Sequence, residues 1–202
     1  PADAARTHIL AEMTLPSLKA ETGEVDTQDF LDRADLLNFL GYSVLLTNCD
    51  QYKNLIQALR PCRFGRLGLV IGARPLLELI QEKFYQNKNG MLLSAFADIC
   101  TQNVHWYVYP AQKEGSGELM RSHNLPVPAD MQNLYEHIVE QRHIIDIQQF
   151  NPDVLHIFSP EVLRRLRADE AGWEKALSPK VVQYIRERHL FGLPCERINF
   201  EY

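Results

Sequence analysis

Arg74 is the residue whose neighbours best equip it for chemistry. It follows Gly72, where backbone can approach a ligand closely, and it stands just before Pro75, a residue suited to a first helical turn. The free N–H groups of that turn and a guanidinium would hold a phosphate or a carboxylate. The plainer alternative is a surface arginine on a turn. Cys49 lies between Asn48 and a helix start, a setting that favours a nucleophilic thiolate. No histidine is identifiable as its base, and a small buried cysteine fits the same pattern. Glu78, Glu82 and Tyr85 fall at i, i+4 and i+7 and share one helix face, with Lys83 on a neighbouring face. Paired carboxylates run acid–base or metal chemistry, or simply meet water on an outer face. The seven histidines, at 8, 105, 123, 137, 143, 156 and 189, show neither H-x-x-x-H nor H-E-x-x-H spacing, so no metal site is read from them. Neither the dinucleotide nor the P-loop glycine fingerprint occurs.

These residues need elements to position them. His8 to Leu15 is a short apolar run stopped by Pro16, and reads as a buried strand with Glu12 inside it. Asp26 and Thr27 can cap a helix with Phe30, Ala34 and Leu37 at helical spacing; Asp29 and Arg33 pair on its outer face, and Gly41 ends it. Ser43 to Asn48 is a strand, and Asp50 caps a helix that Pro61 stops. Arg66 to Gly72 is a third strand. A helix opening at Pro75 follows, with Leu76, Leu77, Ile80 and Phe84 as its stripe, then another from Gly90 to about Thr101. Val104 to Tyr109 is a fourth strand. Residues 110–129 form a long connection with Gly115, Gly117, Pro126 and Pro128, and loops of that length tend to be functional or mobile. Asp130 caps a helix to about Gln141. Ile144 to Ile147 is ambiguous between strand and helix. Ser159-Pro160-Glu161 and Ser178-Pro179-Lys180 both read as helix starts.

Apolar strand runs alternating with helices point to a parallel sheet, because crossovers of this length force parallel pairing. The expected fold is α/β: an open, doubly wound, mostly parallel sheet of Rossmann-like kind, with the strands near 8–14, 43–48, 67–72 and 104–109 in one sheet. The expected organisation is a sheet core over 1–110, a loop over 111–129, and a helical region over 130–202 packed on the same domain. Ligands of such sheets sit outside the carboxyl ends of the strands. That edge selects Glu12, Thr14, Asn48, Gly72, Arg74, Glu82 and Tyr109 as candidate ligand-binding residues, for a small anionic and nucleotide-like molecule. No cofactor is indicated and no complete catalytic constellation is seen. The alternative is therefore a non-catalytic interaction domain that packs on the rest of a longer chain or self-associates as a homo-oligomer.

The bulk properties agree with a globular chain. Of 202 residues, 46% are hydrophobic and 23% charged, which excludes intrinsic disorder. The net charge of −5 is uneven: residues 1–50 carry a balance of −6 and residues 160–202 one of +1. No segment has the positive excess that nucleic-acid binding requires, and Arg164, Arg165 and Arg167 read as a solvated helix face. No run approaches the roughly 18 apolar residues of a membrane span. The four cysteines, at 49, 62, 100 and 195, contain no C-x-x-C and read as reduced thiols of a cytoplasmic protein.

Several strings extend this reading. Ala11-Glu-Met-Thr-Leu15, Phe30-Leu-Asp-Arg-Ala-Asp-Leu-Leu37, Val44-Leu-Leu-Thr-Asn48 and Gly68-Leu-Val-Ile-Gly72 occur in order, followed by Glu82-Lys-Phe-Tyr85, Tyr107-Val-Tyr-Pro110, Leu155-His-Ile-Phe158 and Leu190-Phe-Gly192. Together they resemble the C-terminal portion of a bacterial family whose members carry the name nicotinate- or nicotinamide-nucleotide adenylyltransferase and, elsewhere, TonB-dependent receptor. The resemblance implies a bacterial cytoplasmic protein, a longer parent with an N-terminal part that would be a partner of this region, and adenylyl transfer as the named activity. The Gly-x-Phe-x-Pro-x-His-x-Gly-His phosphate site of nucleotide adenylyltransferases is not present in these residues. A receptor barrel would need many alternating strands, which this α/β pattern does not supply.

Overall fold

The computed structural model describes residues 7–15, 26–49, 51–80, 100–101, 103–113 and 117–193. The chain divides into two compact units, Pro1–Asp50 with Ile157–Tyr202, and Gln51–His156. Positions 110 and 129, the expected boundaries, both lie within the second unit.

The first unit opens with β1 (Leu10–Thr14), α1 (Thr27–Phe39) and β2 (Ser43–Thr47). Asp26 caps α1 by accepting the Asp29 amide at 3.0 Å. Gly41, at φ +86°, closes it. The Tyr42 amide donates to the Leu37 carbonyl and the Gly41 amide to Asn38, the paired bonds of a Schellman motif. The helix is the crossover that makes β1 and β2 parallel, with Thr14 opposite Thr47. Helices α5 (Ser159–Arg167) and α6 (Pro179–Arg188) complete the unit. Leu166, Trp173, Val181, Ile185, Leu190 and Phe191 form its core, with Leu36 of α1 packed against them.

The expected Asp29–Arg33 pair is present, with Arg33 Nε 2.5 Å from the carboxylate, but it does not lie on an outer face. Asp29 is only 7% exposed and also accepts Arg167 Nη2 at 2.8 Å. The next acids on α1 also face the C-terminal segment: Asp32 accepts the Phe191 amide, and Asp35 accepts the Tyr184 hydroxyl at 3.0 Å. Phe39 stacks on Tyr184 with ring centroids 3.7 Å apart. The basic run of α5 is likewise paired: Arg164 binds Glu161 and Glu170, and Arg165 binds Glu161.

The second unit contains α2 (Tyr52–Leu59), β3 (Leu67–Gly72), α3 (Ala73–Ile80) and β4 (Val104–Tyr109). A small antiparallel pair, β5 (Ala111–Gln112) and β6 (Leu119–Met120), follows, then α4 (Gln132–Glu140) and β7 (Ile144–Asp146). The strand order is β3-β4-β7, all parallel, with Gly72 opposite Tyr109 and Val108 opposite Asp146. The ambiguous run at 144–147 is thus a strand, and the long connection is partly structured by β5, β6 and a turn of 3₁₀ helix at Ser122–Asn124.

The four expected strands pair in parallel but lie in two sheets, since β2 and β3 are not hydrogen-bonded neighbours. Apolar pattern fixes which face of a strand is buried; it does not name the strand beside it. Double winding is not established either. Order β3-β4-β7 steps one way across the sheet, and right-handed crossovers that step one way place their helices on one face. The burial agrees. Val104, Trp106 and Val108 alternate into a core with Ile56 of α2, Leu76 and Ile80 of α3, and Tyr135 and Ile138 of α4. On the opposite face His105, Tyr107 and Tyr109 are half-buried, and Val70 is 71% exposed. No helix among the described residues is long and apolar enough to cross a membrane.

The remaining differences are local. Asp50, Phe84 and the helix expected from Gly90 lie outside the described residues. Helix α3 starts at Ala73, so Pro75 is its third residue, still in the turn whose N–H groups have no partner within the helix. Asp130 does not cap α4, whose N-cap is Met131, and Ser159 is the first residue of α5 rather than its cap. Ser178 caps α6, accepting the Val181 amide at 3.4 Å.

Candidate functional site

The seven candidate residues separate into two strand edges. Glu12, Thr14 and Asn48 belong to the first unit. There Glu12 is exposed, not buried as a strand interior would have it, and its carboxylate accepts the Thr47 hydroxyl at 2.5 Å. Thr14 donates its hydroxyl to the Cys49 carbonyl at 2.6 Å, and the Cys49 amide donates to Thr47 Oγ1 at 3.3 Å. Asn48 is exposed. These bonds tie the ends of two parallel strands together and engage Glu12, Thr14 and Thr47 within the fold. No hydrogen bond joins the Cys49 sulfur to a histidine among the described residues. Glu82, Lys83 and Tyr85 lie outside the described residues, so the face they would share with Glu78 is not described.

Gly72, Arg74 and Tyr109 belong to the second unit and do come to one edge. Gly72 and Tyr109 are cross-strand partners at the last position of β3 and β4. A side chain at Gly72 would press on the Pro75 ring, its Cβ 3.3 Å from Cδ. This close approach lets β3 run straight into α3. Arg74 Nη2 donates to the Gln112 carbonyl at 2.7 Å, so the guanidinium is anchored to the strand that leaves β4. The geometry thus engages Arg74 in the fold at this edge.

Residues that the sequence did not single out complete this edge. Strand β6 returns the chain to it and delivers Arg121, whose guanidinium lies 5.2 Å from the centre of the Phe150 ring. Tyr109 meets the same ring edge-on, centroids 6.3 Å apart. Arg121 makes no ion pair among the described residues. Asp146 ends β7 and accepts the amide and the hydroxyl of Ser122, both at 2.8 Å, with His123 Nδ1 at 3.4 Å. Its carboxylate is 14% exposed. The Tyr135 hydroxyl donates to the Ser122 carbonyl at 2.7 Å. Burial, and then the charge of Asp146, push its ionisation above the usual tyrosine range, so it remains a donor.

Serine, histidine and aspartate side by side suggest nucleophilic catalysis, and the bonding argues against it. A catalytic serine gives its proton to the histidine, with the acid on the far imidazole nitrogen. Here Ser122 donates directly to Asp146 and is buried. Asp146 is better understood as the anchor that fixes the turn carrying Arg121. Burial pushes the Cys100 thiol up to about 11, which favours its protonated form. No three His, Cys, Asp or Glu side chains gather as a metal site among the described residues. What the edge provides is cationic and aromatic: Arg74 anchored at Gln112, and Arg121 over the Phe150 ring that Tyr109 meets. The missed signal was long-range. Arg121 and Asp146 are separated by 25 positions and are linked through Ser122, the neighbour of Arg121 whose amide and hydroxyl Asp146 accepts. Comparison with family models, with curated proteins and with solved structures found no match.

Proposed function

We propose that the second unit binds a small, flat anion, a nucleotide or a similar molecule, at the carboxyl edge of its parallel sheet. The observation that carries this reading is Arg121: a guanidinium with no ion pair among the described residues, seated over Phe150, which in turn touches Tyr109 at the end of β4. A guanidinium recognises phosphate or carboxylate through parallel N–H donors, and an aromatic pair beside it suits a planar base. The parallel strands end at this place, as in Rossmann-like sheets that bind nucleotides there. Arg74 and the first turn of α3 flank the site. The resemblance to proteins named nicotinate-nucleotide adenylyltransferase makes an adenine nucleotide the first probe, and a cytoplasmic bacterial setting belongs to the same reading.

The test is calorimetric titration of ADP into the wild type, Arg121→Ala and Arg74→Ala. Loss of one charge-assisted contact lowers affinity about tenfold to a hundredfold. Arg121→Ala is expected to show that loss. Equal binding by wild type and Arg121→Ala, or no binding by the wild type, removes the proposal. A second reading, an interaction domain that packs on another chain or another copy, is favoured by the apolar side chains that both sheets expose, Leu46 on β2 and Val70 on β3.

A further inference from the structure

Strand β3 is an edge of the β3-β4-β7 sheet, with β4 on one side and no strand on the other among the described residues. Its sequence, Leu67 to Gly72, holds no charge and no proline, the features that commonly keep an edge strand from pairing with another chain. Gly68 is exposed, and Val70 is 71% exposed on the face away from the core. An extended segment adds to such an edge through main-chain hydrogen bonds, and its side chains are selected by what lies beside the strand. What lies at the start of β3 is positive. Arg60, Arg63 and Arg66 lead into it, all exposed, and none makes an ion pair among the described residues. The described arginines of the first unit differ: Arg33, Arg164, Arg165, Arg167, Arg186 and Arg188 each have a carboxylate at 3.8 Å or less. The end of α2 at Leu59 favours cations nearby and leaves their charge unneutralised.

We propose that β3 receives an extended segment of a partner protein, with an apolar stretch that pairs along β3 and an acidic end that meets Arg60, Arg63 and Arg66. The main-chain bonds would lengthen the sheet by one strand, apolar side chains would lie beside Val70, and the carboxylates would accept parallel N–H donors from the guanidinium groups. A nucleic acid offers the charge without a peptide backbone to pair, so the open strand selects a protein segment. This names a partner for the interaction reading. It uses neither Arg74 nor Arg121, so its failure leaves the nucleotide reading to its own titration.

The experiment is a titration of the whole ¹⁵N-labelled chain, followed by amide shifts and hydrogen exchange. The probe is a capped peptide of alternating valine and threonine with a run of glutamates at one end, made in both orders to suit parallel and antiparallel addition. One order is expected to move the Arg66, Gly68 and Val70 amides to saturation and to slow exchange along β3. Two control peptides are expected to bind more weakly: one with lysines for the glutamates, and one with prolines for the threonines, which keeps the charge and removes backbone donors. The triple variant Arg60→Gln, Arg63→Gln, Arg66→Gln alters exposed side chains only and is expected to weaken the glutamate peptide about fivefold or more. Added salt is expected to weaken it in the wild type. Arg142→Gln removes an exposed charge from the loop before β7, away from β3, and is expected to leave binding unchanged, as is Arg121→Ala. No saturable shift with either order, equal binding of either control peptide, undiminished binding in the triple variant, or an equal loss in Arg142→Gln would overturn the proposal.

Discussion

Asp146 does more at the candidate edge than any other single residue. It gathers the Ser122 amide, the Ser122 hydroxyl and the His123 ring around one carboxylate. Hydrogen bonds to a charged acceptor contribute more than neutral ones, and removing the acceptor leaves donors unsatisfied. Asp146→Ala is therefore expected to lower unfolding free energy by about 2–3 kcal/mol, measured by urea denaturation. Asp146→Asn, which still accepts, is expected to lose less. Equal stability of Asp146→Ala and wild type would show that the turn holds without its anchor. Sequence reasoning reached Gly72, Arg74 and Tyr109, because strand ends and a glycine before a helix are local features. It missed Asp146 because an acid at the end of a three-residue strand has no local signature.

Helix ends were the most legible elements, and their chemistry is testable. Asp26, Gly41 and Ser178 serve as caps where their residue types indicate, because a cap acts within four residues of itself. Gly41 sits at φ +86° with open space around its Cβ position, so only backbone strain opposes a side chain. Gly41→Ala is expected to cost about 1–2 kcal/mol, whereas Gly65→Ala, open and without a positive φ, is expected to cost little; a thermal melt of each variant separates them. Strand bounds at 43–47, 67–72 and 104–109 were legible to within a residue. Strand partners were not, since pairing depends on crossovers and not on period. In α5 the acid Glu161 is held down at about 2, chiefly by its hydrogen bond from Arg164 and then by that from Arg165. A depressed carboxyl stabilises the fold above its ordinary value of 4.5 and loses that contribution as pH falls toward 2. Glu161→Gln is expected to flatten this part of the acid limb when denaturation midpoints are compared between pH 5 and pH 2.5. An unchanged acid limb would place the titration elsewhere.

At the scale of the chain, the uneven charge of the sequence has an internal explanation. The acids of α1 take up Arg167, the Phe191 amide and the Tyr184 hydroxyl, so the acidic start and the basic end complement each other within the first unit. Composition exposed the asymmetry, but a contact between positions 138 residues apart, Asp29 and Arg167, is invisible to any local pattern. The same discontinuity places Gln51–His156 as a unit between the two pieces of the other. It also divides the candidate residues between two strand edges, where the sequence had suggested one. The anion is proposed for the β3-β4-β7 edge alone. An amide-shift map of the labelled chain titrated with ADP tests this most directly. Saturable shifts are expected at Gly72, Tyr109, Gln112 and Arg121, with Thr14, Thr47 and Asn48 unmoved. Shifts confined to Thr14, Thr47 and Asn48, or no saturable shift at all, would contradict it.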